Sequence, residues 1–169
     1  MRSKIEQIET LDDFASFIAI FALDAARGYM KDLLEQHELT IQSWVEIVIF
    51  VLFAADLVSY NFIQERLPGQ RGIFWNLVID EIRVITQFEA PALRYFDDIL
   101  DHRFEEYFQA LHVEHELGPM WNIGKVATKN IFNEKEKNDA FLITSVSFRF
   151  GFFTKQFESY FLEPELFIW

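Results

Sequence analysis

The chain contains no cysteine. Disulfides, thiolate metal sites and cysteine nucleophiles are therefore excluded. Glycine and proline are sparse, at six and four residues of 169, so regular structure has few obligatory breaks. Neither a phosphate-cradling loop nor a dinucleotide fingerprint is present, and there is no Gly-x-Ser-x-Gly nucleophile elbow. Gly69-Gln70-Arg71-Gly72 has the form of a short RNA-binding glycine loop. Such loops belong to domains with a β-sheet, which the rest of the pattern does not support, so it reads as a turn.

Positive charge is scarce as well. Fifteen Lys and Arg against 27 Asp and Glu leave a formal charge of −12. A field of that sign repels phosphate backbones, which argues against nucleic acid and anionic membranes and suits a protein partner with a basic surface. The basic residues that do cluster, Lys125, Lys129, Lys135 and Lys137, are interleaved with Glu134, Glu136 and Asp139. That pattern reads as a solvated loop and helix start. Long apolar runs are missing too. The stretch Ile47 to Ala55 is nine residues long, between Glu46 and Asp56, whereas a membrane span needs ~20. It reads as the core of a helix buried in protein. The opening MRSKIEQIETLDD has no apolar segment with a small-residue cleavage site, so the expected location is cytoplasmic.

What the chain has in quantity is apolar mass: 51% of residues, with 20 Phe. A chain of this length buries roughly 70% of its unfolded surface, so residues 1–169 are expected to form one domain. The apolar content exceeds what a lone domain needs and points to a homodimer interface, or to a pocket for an apolar ligand.

The spacing of that mass is helical throughout. Thr10 with Asp13 forms an N-cap signal, followed by Leu11, Phe14, Ile18, Phe21, Ala25, Tyr29 and Leu33 at three- and four-residue steps to about Gln36. Thr40 caps a second helix reaching about Arg66, apolar nearly all round and hence central in a bundle. LPGQRG, residues 67 to 72, is a turn with Pro and Gly at its centre. A third helix carries Phe74, Val78, Ile82, Ile85 and Phe88, and Pro91 opens a fourth. Asn133 and Glu136 resemble a capping box for a last helix running to about Leu162. Within it VSFRFGF alternates like a strand, yet Leu142, Val146, Phe150, Phe153, Phe157 and Phe161 make a helical stripe, and no second strand exists to pair with. Ser145, Ser147 and Gly151 thin one side of this helix for close approach of another. The expected fold is an all-α, single-domain bundle of five or six helices, with sequential helices packed antiparallel.

Chemistry-bearing residues concentrate in FDDILDHRFEEYFQALHVEHE, Phe96 to Glu116, with seven carboxylates and three of the four histidines. On a helix, Phe96, Leu100, Phe104, Phe108 and Leu111 line the core face. Asp97, Asp101 and Glu105 form one acidic line, and Asp98, His102 and Glu106 another. Like charges at this spacing cost a few tenths of a kcal/mol per pair. Asp97, Asp98, Asp101, Glu105 and Glu106 are therefore the candidate partner-binding residues. His102 and His112 lie ~15 Å apart along a helix axis and cannot share an ion. His112, His115 and Glu116 sit within a turn of one another and are the candidate metal ligands, although zinc needs a further donor. Di-iron carboxylate bundles require Glu three residues before His. Leu34, Ile99, Gln109 and His112 occupy those positions here, so that class is excluded.

Three acids stand in apolar surroundings: Asp24, Asp56 and Glu81. A buried carboxylate must be paired or protonated. Each sits at a core margin with a neighbour such as Arg27 for Asp24, or the three converge as the polar floor of a ligand pocket. The C-terminal Leu166, Phe167, Ile168 and Trp169 are costly to leave in water and are expected to fold back or to dock on a second subunit. These features together predict a non-catalytic interaction protein that needs no cofactor and engages a basic protein through its acidic helix. A small-molecule-binding bundle with an aromatic cavity is the alternative, and a metal-dependent enzyme at His112, His115 and Glu116 a lesser one.

Overall fold

The computed structural model describes residues 10–132 and 139–161, which form six helices and no strand. They are α1 (Leu11–Leu34), α2 (Ile41–Arg66), α3 (Arg71–Thr86), α4 (Ala90–His112), α5 (Pro119–Phe132) and α6 (Ala140–Phe161). The fold is all-α, and one apolar core draws residues from all six helices.

Local chemistry sets most boundaries. Thr10 and Thr40 each accept from the backbone N–H three residues on, and the side chains of Asp13 and Ser43 accept from the threonine N–H in return, at 3.0 and 3.2 Å. Both helices thus begin with a reciprocal cap that satisfies two orphan donors. Between α2 and α3, Gln70 N–H donates to Leu67 O at 3.0 Å across Pro68 and Gly69, with Gly69 at φ 78°. Only glycine takes that conformation without steric cost. Gln87, left-handed at φ 48°, stops α3, and Pro91 lies in the first turn of α4. Helices three and four are therefore separate rods.

The last helix settles its own ambiguity. Leu142, Val146, Phe150, Phe153 and Phe157 are all buried along α6, so the strand-like alternation of VSFRFGF is incidental. Its N-terminus is capped by Asp139, whose carboxylate accepts from Phe141 and Leu142 N–H at 2.9 and 3.0 Å. The expected cap residues Asn133 and Glu136 lie outside the described residues, as do Lys135, Lys137 and the C-terminal Leu166 to Trp169.

Helix α2 runs through the centre and packs against α1, α4, α5 and α6. By length and composition alone its Ile41–Glu65 stretch could cross a membrane, but 72% of the apolar window is buried within the bundle. The expectation that sequential helices pack together fails at α3. It lies on α1, meets α2 only lightly and scarcely touches α4. This leaves a wedge between α2, α3 and α4.

Helices α5 and α6 approach closely at Gly124 and Ser147, one of the small residues expected to permit it, whereas Ser145 is exposed. A Cβ added at Gly124 would fall 2.0 Å from Ser147 Oγ and 2.7 Å from Ile143 O. Gly28, inside α1, has nothing within 4 Å of that position. Gly124→Ala should therefore cost about 1–3 kcal/mol through overpacking. Gly28→Ala should raise stability by about 0.5–1 kcal/mol through helix propensity. Chemical denaturation of the two variants checks the opposite signs.

Candidate functional site

Among the described residues the most buried charged side chain is Glu46, fully enclosed on α2. An isolated buried carboxylate is prohibitively costly, and α4 supplies its partner. Arg103 donates through Nε to both carboxylate oxygens at 3.0 and 2.9 Å, and through Nη2 to Oε1 at 2.8 Å. Tyr95 OH donates to Oε1 at 2.7 Å. Arg103 Nη1 reaches on to Glu106 at 2.7 Å, which also accepts from Asn130 of α5 at 3.3 Å. One charged network thereby links α2, α4 and α5. Burial alone would lower the Arg103 pKa, but the hydrogen bonds and charge of Glu46, with Glu106, more than offset it and hold it above its ordinary value. Burial, with Glu46 adding to it, pushes Tyr95 up to about 12. Burial raises Tyr107 well beyond the ordinary phenol range.

This network fixes the rotation of α4, and it corrects the expected core face. Phe96, Arg103, Tyr107 and Ala110 point inward, whereas Phe108 is exposed. Glu106 turns toward Arg103 and is unavailable as a surface acid. Asp98 is exposed on the same flank as His102, away from the wedge. The acidic line Asp97, Asp101 and Glu105 faces the wedge together with Phe104 and Phe108.

The wedge is a groove with two adjoining lobes of about 620 and 680 Å³, which share Asp56, Arg71, Asp101 and Phe104. The first lobe is lined by Trp75, Asp80, Arg83 and Asp97, the second by Phe53, Tyr60, Glu105 and Phe108. Five carboxylates and two arginines meet over an aromatic floor. Asp56 accepts from Arg71 Nη2 at 2.7 Å through both of its oxygens, and Arg71 also lies over the Tyr60 ring. Arg83 spans the opening, donating to Asp80 at 2.7 Å and to Asp97 at 2.8 Å. Arg94 instead turns back on its own helix, to Ala90 O. Glu105 accepts from Gln109 at 2.7 Å. Asp101 is exposed and has no ion-pair partner among the described residues.

The alternative in which Asp24, Asp56 and Glu81 converge on one pocket is not what the structure holds. Asp24 is exposed on α1 and paired with Arg27 at 3.1 Å, the neighbour named from sequence. Glu81 is half-buried on α3 and lines neither lobe. Only Asp56 reaches the groove. The metal spacing fails for a local reason: α4 ends at His112, so His115 and Glu116 lie in the following loop. His112 Nδ1 is 2.8 Å from Phe108 O, and His115 Nδ1 accepts from Leu117 N–H while its ring stacks on Trp121. Among the described residues no group of three His, Asp or Glu is arranged to hold a metal ion. In sequence Glu46 reads as the mere edge of an apolar run and Arg103 as a partial offset to the acidic line, and nothing there joins them to each other or to Tyr95.

No known protein family, curated protein or solved structure matches the chain.

Two predictions follow from the buried charges. Arg103→Met leaves Glu46 buried without its cation and should cost about 3–5 kcal/mol. Adding Glu46→Leu should restore most of that loss, as denaturation of the single and double variants will show. Burial raises the Asp56 pKa above 3.8, against hydrogen bonds and charge from Arg71 and a smaller contribution from Trp75. The folded chain then holds this proton more tightly than the unfolded one, so stability from this group falls as pH rises between 3.8 and the folded value. Arg71→Ala should move the Asp56 midpoint further up, measured by carboxyl NMR titration.

Proposed function

We propose that this is a non-catalytic binding protein whose groove between α2, α3 and α4 receives a basic segment of a protein partner. The observation that carries the reading is the groove wall of Asp97, Asp101 and Glu105 set over aromatic side chains. Asp97 is met by Arg83, but among the described residues no cation pairs with Asp101 or Glu105. A lysine or arginine entering there gains a charge-assisted hydrogen bond and an aromatic face at once. The overall charge of −12 steers such a partner toward the protein and turns nucleic acid away. A cytoplasmic setting agrees with the absence of cysteine.

A small organic cation is the second reading. The lobe of about 680 Å³ beside Tyr60 and Phe104 lies within the volume range of ligand pockets. Of Asp24, Asp56 and Glu81, only Asp56 lines this lobe.

The test uses a lysine- and arginine-rich peptide, with a glutamate-rich peptide as control, and follows the Trp75 indole resonance by NMR. The basic peptide should shift that resonance, and added salt should weaken its binding. Asp101→Lys with Glu105→Lys should reduce affinity about tenfold or more. Equal binding of the acidic peptide, or binding unaffected by the double reversal, overturns the proposal. A small cation retained in native mass spectrometry and displaced by the same double reversal moves the assignment to the second reading.

A further inference from the structure

A second surface stands apart from the groove, on α5 and α6. Along α6, Phe141 and Phe148 are 82% and 76% exposed, and Phe152 continues the same line. Spacings of seven and four residues make these rings one ridge down the helix. Hollows of about 510 and 550 Å³ flank it. One has Ser145 and Arg149 at its edge, and the other runs to Leu117 and Met120 beside Gly151.

We infer that this face is the contact between two copies of the chain. Area supports a second copy as the occupant. Phe141, Phe148, Phe152, Leu117 and Met120 together leave ~600 Å² of largely apolar surface in water, at the upper end for a monomer. A specific interface buries ~800 Å² per partner, which the ridge and its polar margin approach. Charge supports it independently. The protein carries 27 acidic residues, yet no carboxylate lines either hollow, whose charged groups are Arg149 and Lys155. Two copies of so acidic a chain repel over most orientations, and here the hollows that would receive the opposing ridge carry no carboxylate in their lining. Arg149 is already neutralised by Asp32, which leaves Lys155 as the charge lining the hollows that is unpaired among the described residues.

The geometry fits a two-fold contact. A ridge with a hollow on each side is self-complementary, because each ridge can lie in a hollow of the other copy. Thr144, Ser145 and Gly151 are small enough to let the two helices come close. The groove is built from α2, α3 and α4, so a pair joined at α6 keeps it lined by the same side chains. The dimer and the basic-ligand reading therefore stand or fall separately.

Sedimentation equilibrium of the full chain across a concentration series tests this. The native protein should show twice its monomer mass of 20.1 kDa. Phe148→Lys, a change at an exposed position, should give the monomer mass with unaltered helicity. Because the chain has no cysteine, a single Ser145→Cys provides a second readout. Mild oxidation should link it into a covalent dimer, while Ile73→Cys, exposed on α3, should stay unlinked. A native protein monomeric throughout, a dimer indifferent to Phe148→Lys, or equal linking at both cysteines overturns the inference. So does a monomer that sediments with anionic vesicles through this face.

Discussion

The structure depends on one buried ion pair. Placing Glu46 in the most apolar helix obliges some other helix to deliver a cation to the centre of the bundle, and Arg103 is that cation. A helix advances about 100° per residue, so aiming residue 103 inward decides where every other side chain of α4 points. Asp97, Phe104 and Phe108 fall about a third of a turn away on the side of α3, with Asp101 and Glu105 beyond them. Glu106 and His102 fall on the opposite flank, toward α5. The rotation that satisfies Glu46 is the rotation that assembles the groove wall. An ion pair of this kind adds little net stability over an apolar replacement. Its role here is to select one orientation of α4 among several that would bury comparable grease.

The other determinant is the placement of α3. The turn through Pro68 and Gly69 sends it onto α1, so two helices adjacent in sequence stand apart in space. Asp56 and Arg71, on either side of that turn, then meet at the base of the opening. The groove thus has a rigid back in α2, one wall fixed by Arg103 and another carried by α1.

The sequence made much of this legible. Thr10 and Thr40 announced two helix starts, because a cap is a contact between residues three apart. The stripe from Leu142 to Phe157 outweighed a strand-like alternation, and the thinning of α6 at Ser147 pointed to the approach of α5. What escaped notice depends on distant partners. Nothing beside Glu46 signals an arginine 57 positions on, and the choice between Tyr107 and Phe108 as the core ring follows only from that pairing. The end of α4 was equally hidden. The chain leaves the helix at Val113, whose carbonyl accepts from the Asn122 side chain of α5 at 2.8 Å. A contact nine residues away replaces the local stop signal that the metal reading had assumed absent. Asp24, by contrast, was legible with its neighbour Arg27, as an ordinary pair in water.

Arg83 gives the opening one further property. It holds Asp80 on its own helix and Asp97 on the facing one, and all three groups are substantially exposed. Attraction between exposed charges is screened over about 8–10 Å at physiological salt. The lips of the cleft are joined by a strut that mobile ions loosen, whereas the carboxylate of the Asp56–Arg71 pair at its base is far less exposed to them. Salt therefore weakens the link across the lips more than the contact at the base.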